Sequence, residues 1–219
     1  MENNTKELVR QFAELSTATV SDALDRFGIK GGCEGIVPIG QGMRLLGPAF
    51  TVRYLPVGVV KGTVGDYIDD VQPGEVVVLD NGGRLFCTVW GDILTIFAKI
   101  KGVAGTVIDG VCRDVPAILA EGYPVFSRGK FVMTGKDRVE VAGVQVPVSL
   151  GNVQVKPGDI VFGDDSGVIV IPAEKAREVL DAALEIERAE KGIEEMLRQG
   201  YTIREARQKY QYHSLQSKK

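Results

Sequence analysis

The sequence predicts an α/β fold, helix-rich at both ends and strand-rich in the middle. Three features point there: short valine- and isoleucine-rich runs, a helical spacing set between two of them at 93–100, and a long charged helical pattern near the end. The first helix is expected over 7–15. A second begins at Thr19-Val20-Ser21-Asp22 and closes at Gly28. Residues 31–47 are punctuated by glycine and read as loop, and strands follow at 49–54 and 75–80. Ile93, Leu94, Ile96, Phe97 and Ile100 mark the helix at 93–100, 103–108 reads as a buried strand, and 115–121 as the next helix. Short strands are then expected at 124–126, 139–148, 153–155, 160–162 and 168–171, separated by Gly143, Gly151, Pro157-Gly158 and Gly163-Asp164-Asp165. The helix over 173–199 carries Leu180, Leu184, Ile193 and Leu197 as its apolar stripe; a short helix at 202–210 and a polar, basic tail complete the chain.

At 219 residues the chain suits one compact domain with a helical extension: a catalytic domain over 1–172 that includes the N-terminal helices, and an extension over 173–219. A net charge of −3 gives no basic footprint, so nucleic acid is not the expected partner. No apolar run approaches the length of a membrane span, and the first residues hold no signal-peptide core, so a cytoplasmic location is expected. Cys33, Cys87 and Cys112 lack C-x-x-C spacing and read as reduced, buried thiols.

Gly91-Asp92 and Arg113-Asp114 stand at element ends, with twenty residues between Asp92 and Arg113. Asp92 begins the helix at 93–100, and Asp114, followed by Pro116, has the look of a cap for the helix at 115–121. Two acids and an arginine are thereby expected at the strand ends, where open α/β folds bind ligands. The same residues would also serve as ordinary caps with a surface ion pair, and spacing leaves both readings open. His213, the single histidine, lies in the tail, which argues against a Ser-His-Asp triad, a histidine-rich zinc site or a histidine base. Oxygen chemistry remains: carboxylates hold a hard cation such as Mg²⁺, Arg113 holds an anionic oxygen beside it, and the amides at Asp92-Ile93-Leu94 receive a carboxylate. Together these groups would stabilise an enolate.

The segment Gly91-Asp92, twenty residues, Arg113-Asp114 resembles the D-x₂₀-R-D signature of the 4-hydroxy-4-methyl-2-oxoglutarate/4-carboxy-4-hydroxy-2-oxoadipate aldolases, which share the RraA-like superfamily with the regulators of ribonuclease E activity A. The likeness extends to Ser16 through Leu24, to Gly102 through Gly110, to Pro157-Gly158-Asp159 and to Gly163 through Val168. It implies a swivelling-type β/β/α sandwich-barrel with N-terminal helices and a long C-terminal helix, assembled as a homotrimer or homohexamer with interfacial active sites. It further implies Mg²⁺, Mn²⁺ or another divalent metal on Asp114, Arg113 on the pyruvate enolate, and Asp92 holding a water of the metal shell that takes part in proton transfer. Gly91, Asp92, Ile93, Leu94 and Arg113 would bind substrate, the Ile93 and Leu94 amides taking the pyruvate carboxylate. The implied reaction is cleavage of 4-hydroxy-2-oxo diacids to pyruvate and a 2-oxo acid, with oxaloacetate decarboxylation through the same enolate. Alternatives are a non-catalytic regulator that binds a ribonuclease and, with less support from Asp80-Asn81-Gly82-Gly83, an S-adenosylmethionine-dependent methyltransferase. Many of the aldolases continue R-D-x-x-E or R-D-x-x-D, whereas this chain has Ala117, whose methyl cannot hold a water. Glu34, Asp80 and Glu190 are candidates to replace that acid.

Overall fold

The computed structural model describes residues 2–59 and 62–212, so His213 and the rest of the tail lie outside the described residues. The chain begins with helices α1 (Glu2–Phe12) and α2 (Thr17–Arg26), then strands β1 (Val37–Pro38), β2 (Leu45–Pro56) and β3 (Val76–Thr88). Next come α3 (Asp92–Lys101), β4 (Gly105–Cys112), α4 (Val115–Glu121) and β5 (Val125–Lys130). Five short strands follow: β6 (Val139–Val144), β7 (Val148–Leu150), β8 (Val153–Val155), β9 (Ile160–Asp164) and β10 (Gly167–Ile171). Helices α5 (Ala176–Arg198) and α6 (Ile203–Lys209) close the described chain. Contacts divide it into two compact units, Gly32–Ala173 and the helical pair of segments Met1–Gly31 with Glu174–Lys219. The N-terminal helices therefore group with the C-terminal helix, where the sequence reading had joined them to the strands.

In the larger unit, eight strands form one sheet in the order β1-β5-β4-β3-β2-β9-β10, with β6 also pairing β2. The centre, β2-β3-β4-β5, is parallel, and α3 and α4 make the crossovers between β3, β4 and β5. A central parallel strand is buried on both faces, which explains the unbroken run Val76-Val77-Val78-Leu79. Its alternate residues enter two cores. Val77 and Leu79 join Ala98 of α3 and Ile118 of α4, while Val76 and Val78 join Phe126, Val161 and Val170 and the β7–β8 hairpin. Burial of each such side chain is worth roughly 1.5–3 kcal/mol. Strand β9 passes so close to β5 that a Cβ on Gly163 would lie 3.0 Å from the Phe126 ring.

Several boundaries move for tertiary reasons. Strand β2 reaches back to Leu45, into the expected loop, because Leu45 to Pro48 pair with β9. Strand β3 does not end at Asp80: the chain makes an excursion through Asn81-Gly82-Gly83 and rejoins β4 at Arg84 and Thr88, with φ of +59° and +68° at the two glycines. Strand β4 continues through Asp109 to Cys112. Asp109, one residue past the expected strand end at 108, is buried within β4, ion-paired with Arg128 and accepting the Gly151 N–H at 2.9 Å.

In the helical unit, α2 starts two residues before the expected Thr19, because the Ser16 hydroxyl accepts the Thr19 N–H at 3.0 Å and caps the first turn. The buried stripe of α5 runs through Leu180, Ile186, Ile193 and Met196, leaving Leu197 exposed. Arg26 of α2 pairs with Glu185 of α5 at 2.6 Å, and Thr202 and Glu205 form a capping box on α6.

Candidate active site

The exits of β3 and β4 lie side by side, and the Arg113 N–H donates to the Trp90 carbonyl at 3.1 Å, tying them together. This parallel register brings all six singled-out residues, Gly91, Asp92, Ile93, Leu94, Arg113 and Asp114, to one place. Asp92 is the first residue of α3 with Gly91 as its N-cap, and Asp114 is the N-cap of α4, as their positions in the sequence suggest.

The Asp114 side chain nevertheless caps nothing in α4. Its backbone is left-handed, φ +56° and ψ +34°; Pro116 removes one N–H of the first turn, and the Ala117 and Ile118 amides bond the Asp114 carbonyl instead. The carboxylate turns to the other helix: Asp114 Oδ2 accepts the Asp92 N–H at 3.3 Å and lies 3.2 Å from Arg113 Nε. A non-glycine residue held in the left-handed region costs energy and persists where its surroundings demand it. Oδ1 has no hydrogen-bond partner among the described residues.

Gly91 makes this approach possible. Its backbone is extended (φ −157°), so the requirement is one of space: a Cβ there would lie 2.5 Å from Asp114 Oδ2. Asp92 folds its carboxylate over its own helix start and accepts the Ile93 N–H at 2.8 Å. Of the two amides expected to receive a carboxylate, Ile93 is thus occupied by Asp92, while the Leu94 N–H has no partner among the described residues. Arg113 and Asp114 side chains are 40% and 34% exposed, so both can meet a ligand.

A cavity of about 230 Å³ opens here, lined by Trp90, Gly91, Asp92, Ile93, Leu94 and Arg113. Asp114 does not line it and borders it through Arg113 and the Asp92 N–H. The wall also includes Val64 and Gly65 from the β2–β3 connection, and Thr88 and Thr134, which bridge to each other. Sequence reasoning missed these four, since no local pattern marks residues brought in across the fold. Trp90 both lines the cavity and donates from Nε1 to the buried Thr95 hydroxyl at 2.9 Å.

The acids proposed to stand in for Ala117 are engaged elsewhere. Asp80 accepts the Gly82 and Ser149 amides at 2.9 and 3.1 Å, and Glu34 accepts from Asn152 at 2.9 Å. Glu190 belongs to the helical unit, where partial burial, followed by Asp22 and Glu187, raises its carboxyl above the usual range. Among the described residues no group of three or more His, Cys, Asp or Glu side chains could hold a metal. What the site offers is two carboxylates with one free oxygen on Asp114, a donor set suited to a hard cation that keeps most of its waters.

Two carboxylates and a guanidinium thus meet beside the start of α3, at the edge of a cavity. The chain belongs to the RraA-like family, matching its description "Aldolase/RraA" over residues 17–170. It is 34% identical over 180 residues to a Halalkalibacterium halodurans protein named "Putative 4-hydroxy-4-methyl-2-oxoglutarate aldolase", covering 81% of this chain and 82% of that one. It is 42% identical to protein DlpA of Legionella pneumophila over 94% of this chain, but spans only 34% of that protein's length. The crystal structure of Streptomyces coelicolor RraAS2, described as an unusual member of the RNase ES inhibitor RraA protein family, matches with a TM-score of 0.80 and 34% identity over 84% of this chain and 95% of that one. The mixed α/β architecture, with its large sheet and long C-terminal helix, is the RraA-like fold. No helix among the described residues is long and apolar enough to cross a membrane.

Proposed function

We propose that this chain is a divalent-metal-dependent lyase that cleaves 4-hydroxy-2-oxo diacids, such as 4-hydroxy-4-methyl-2-oxoglutarate, to pyruvate and a 2-oxo acid, and that decarboxylates oxaloacetate. The observation that carries this reading is the Asp114 carboxylate, turned from its own helix toward Arg113 and the start of α3 at the edge of a cavity. The Arg113 guanidinium donates to the oxygen that becomes the enolate as the C3–C4 bond breaks. The Leu94 N–H, and the Ile93 N–H once the Asp92 carboxylate releases it, bind the substrate carboxylate at the positive end of α3. Asp92 takes the proton of the C4 hydroxyl, directly or through one water, and one proton returns at C3 of the enolate to complete pyruvate. Oxaloacetate loses CO₂ from C4 and yields the same enolate. Asp114 would hold Mg²⁺ or Mn²⁺, which when bound supplies Lewis-acid stabilisation of the enolate charge.

The apolar side chains of α3 support assembly into a homotrimer or homohexamer. Ile93 and Ile100 are 77% and 78% exposed in the single chain, and only Thr95 and Ala98 of α3 are buried. A site of this kind would operate in the cytoplasm. Pyruvate release, measured with a panel of 2-oxo acids and several divalent metals, tests the reading; absence of release with every pair overturns it. The likeness to an RNase ES inhibitor family member favours a second reading, a non-catalytic regulator. Ribonuclease inhibition without pyruvate release would establish that role instead.

A further inference from the structure

Behind the cavity wall a buried hydrogen-bond chain connects both halves of the site. Trp90 Nε1 donates to the Thr95 hydroxyl at 2.9 Å, and that hydroxyl donates to the Gly91 carbonyl at 2.8 Å. The Gly91 carbonyl also accepts the Thr95 N–H at 3.1 Å, closing the first turn of α3. The Trp90 carbonyl takes the Arg113 N–H, and the indole stacks on Tyr123 with centroids 6.0 Å apart and planes 10° apart. Tyr123 is fixed in turn by a 2.9 Å hydrogen bond between its hydroxyl and that of Thr106 on β4. Thr95 is fully buried and Trp90 nearly so, so neither hydroxyl nor indole N–H has water as a ready alternative.

Threonine in a helix interior is a poor helix former, and its hydroxyl here reaches back to the carbonyl four residues earlier, a bond that bends or orients a helix. In this place it sets the direction of the Gly91 carbonyl and, through the planar peptide that follows, of the Asp92 N–H that meets Asp114. We propose that Trp90 and Thr95 are positioning residues: their hydrogen-bonded pair aims the first amides of α3 at the substrate carboxylate and holds them in register with Arg113. This rests on the lyase reading above, and neither residue's hydrogen-bonding side-chain atom needs to touch the substrate.

The test is steady-state pyruvate release from oxaloacetate with Mg²⁺ by the full chain and three variants, with thermal unfolding recorded for each. Thr95→Val removes both hydroxyl bonds at nearly constant volume; Trp90→Phe removes the indole donor and keeps an aromatic ring against Tyr123; Thr95→Ser keeps the hydroxyl. Thr95→Val and Trp90→Phe are expected to raise KM about tenfold with a smaller change in kcat, because the lost interaction orients ground-state carboxylate binding. Thr95→Ser restores the wild-type KM. Wild-type KM in Thr95→Val or Trp90→Phe, even with a lowered Tm, overturns the proposal and leaves the pair a purely structural one. A raised KM in Thr95→Ser equal to that of Thr95→Val overturns it too, since the hydroxyl would then not be the cause. If Thr95→Val does not fold, Trp90→Phe against wild type decides. No pyruvate from the wild-type chain is a different result: it removes the lyase reading itself, and the positioning role with it.

Discussion

Replacing Gly91 with alanine isolates the geometry that brings Asp114 to the start of α3. The backbone at Gly91 is extended, so alanine adopts it without strain and the effect comes only from the added methyl. That methyl would lie 2.5 Å from Asp114 Oδ2, and ordinary contact begins at 3.4 Å, so the carboxylate must retreat by about 0.9 Å (3.4 − 2.5). The Asp92 N–H bond, already 3.3 Å long, cannot survive that movement, while Arg113, whose Cγ and Nε would each be 3.4 Å from the new methyl, stays at ordinary contact and leaves the carboxylate as the group that moves. Loss of one partly exposed hydrogen bond costs the fold about 0.5–1.5 kcal/mol, so the variant folds. Misplacement of a reacting group by about 1 Å costs on the order of a hundredfold in rate. A lactate-dehydrogenase-coupled assay of pyruvate release, with metal titration, is expected to show that loss alongside weaker metal stimulation. Wild-type activity and metal response in a folded Gly91→Ala variant would refute the reasoning.

Arg113→Ala, at a side chain 40% exposed, should leave the fold and oligomer intact by circular dichroism and sedimentation while lowering kcat by a hundred- to a thousandfold, on the order expected for a lost oxyanion donor. Asp114→Ala should abolish Mg²⁺ stimulation; retained full stimulation would remove Asp114 as the metal anchor. For Glu190, burial raises the folded carboxyl's pKa above the unfolded 4.5, so the folded state binds the proton more tightly and stability falls as pH rises through that interval. Glu190→Gln is therefore expected to raise Tm at neutral pH and to lose the advantage at acid pH, by less than about 1 kcal/mol because the side chain is only partly buried and solvent screens it. The three cysteines are buried, and burial pushes the Cys33 thiol up to about 12, so a thiol reagent at pH 8 (about the ordinary cysteine pKa) should label none in the native chain and all three in denaturant.

Much of the central unit is legible from local pattern. The run Val76 to Leu79 announces a strand buried on both faces, and the helices that flank β4 follow from spacing, glycine stops and Pro116. Helix α3 shows where such reasoning stops. Its apolar residues mark a helix correctly, yet in the single chain Ile93, Ile96, Phe97 and Ile100 face solvent while Thr95 and Ala98 are buried and Leu94 packs on the core, because an apolar stripe reports that a face is covered and not by what. The edges of β2, β3 and β4 were misjudged for a related reason: pairing with β9, the excursion at Gly82-Gly83 and the buried Asp109–Arg128 pair are all nonlocal.

For the site, the sequence by itself determined that Asp92 and Asp114 begin helices and that Arg113 stands beside the second of them, because capping is set by a few adjacent residues. It left open whether those acids were only caps. The tertiary structure decided that for the Asp114 side chain: the parallel register of β3 and β4 brings Gly91 against Asp114, a left-handed backbone turns the carboxylate off α4, and a missing Cβ gives it room to reach the Asp92 amide. It also supplied Thr88, Thr134, Val64 and Gly65 for the cavity wall and spent Asp80 and Glu34 on other bonds. Composition and spacing fix which groups a chain can offer; distances across strands, which depend on every residue between, fix which of them meet.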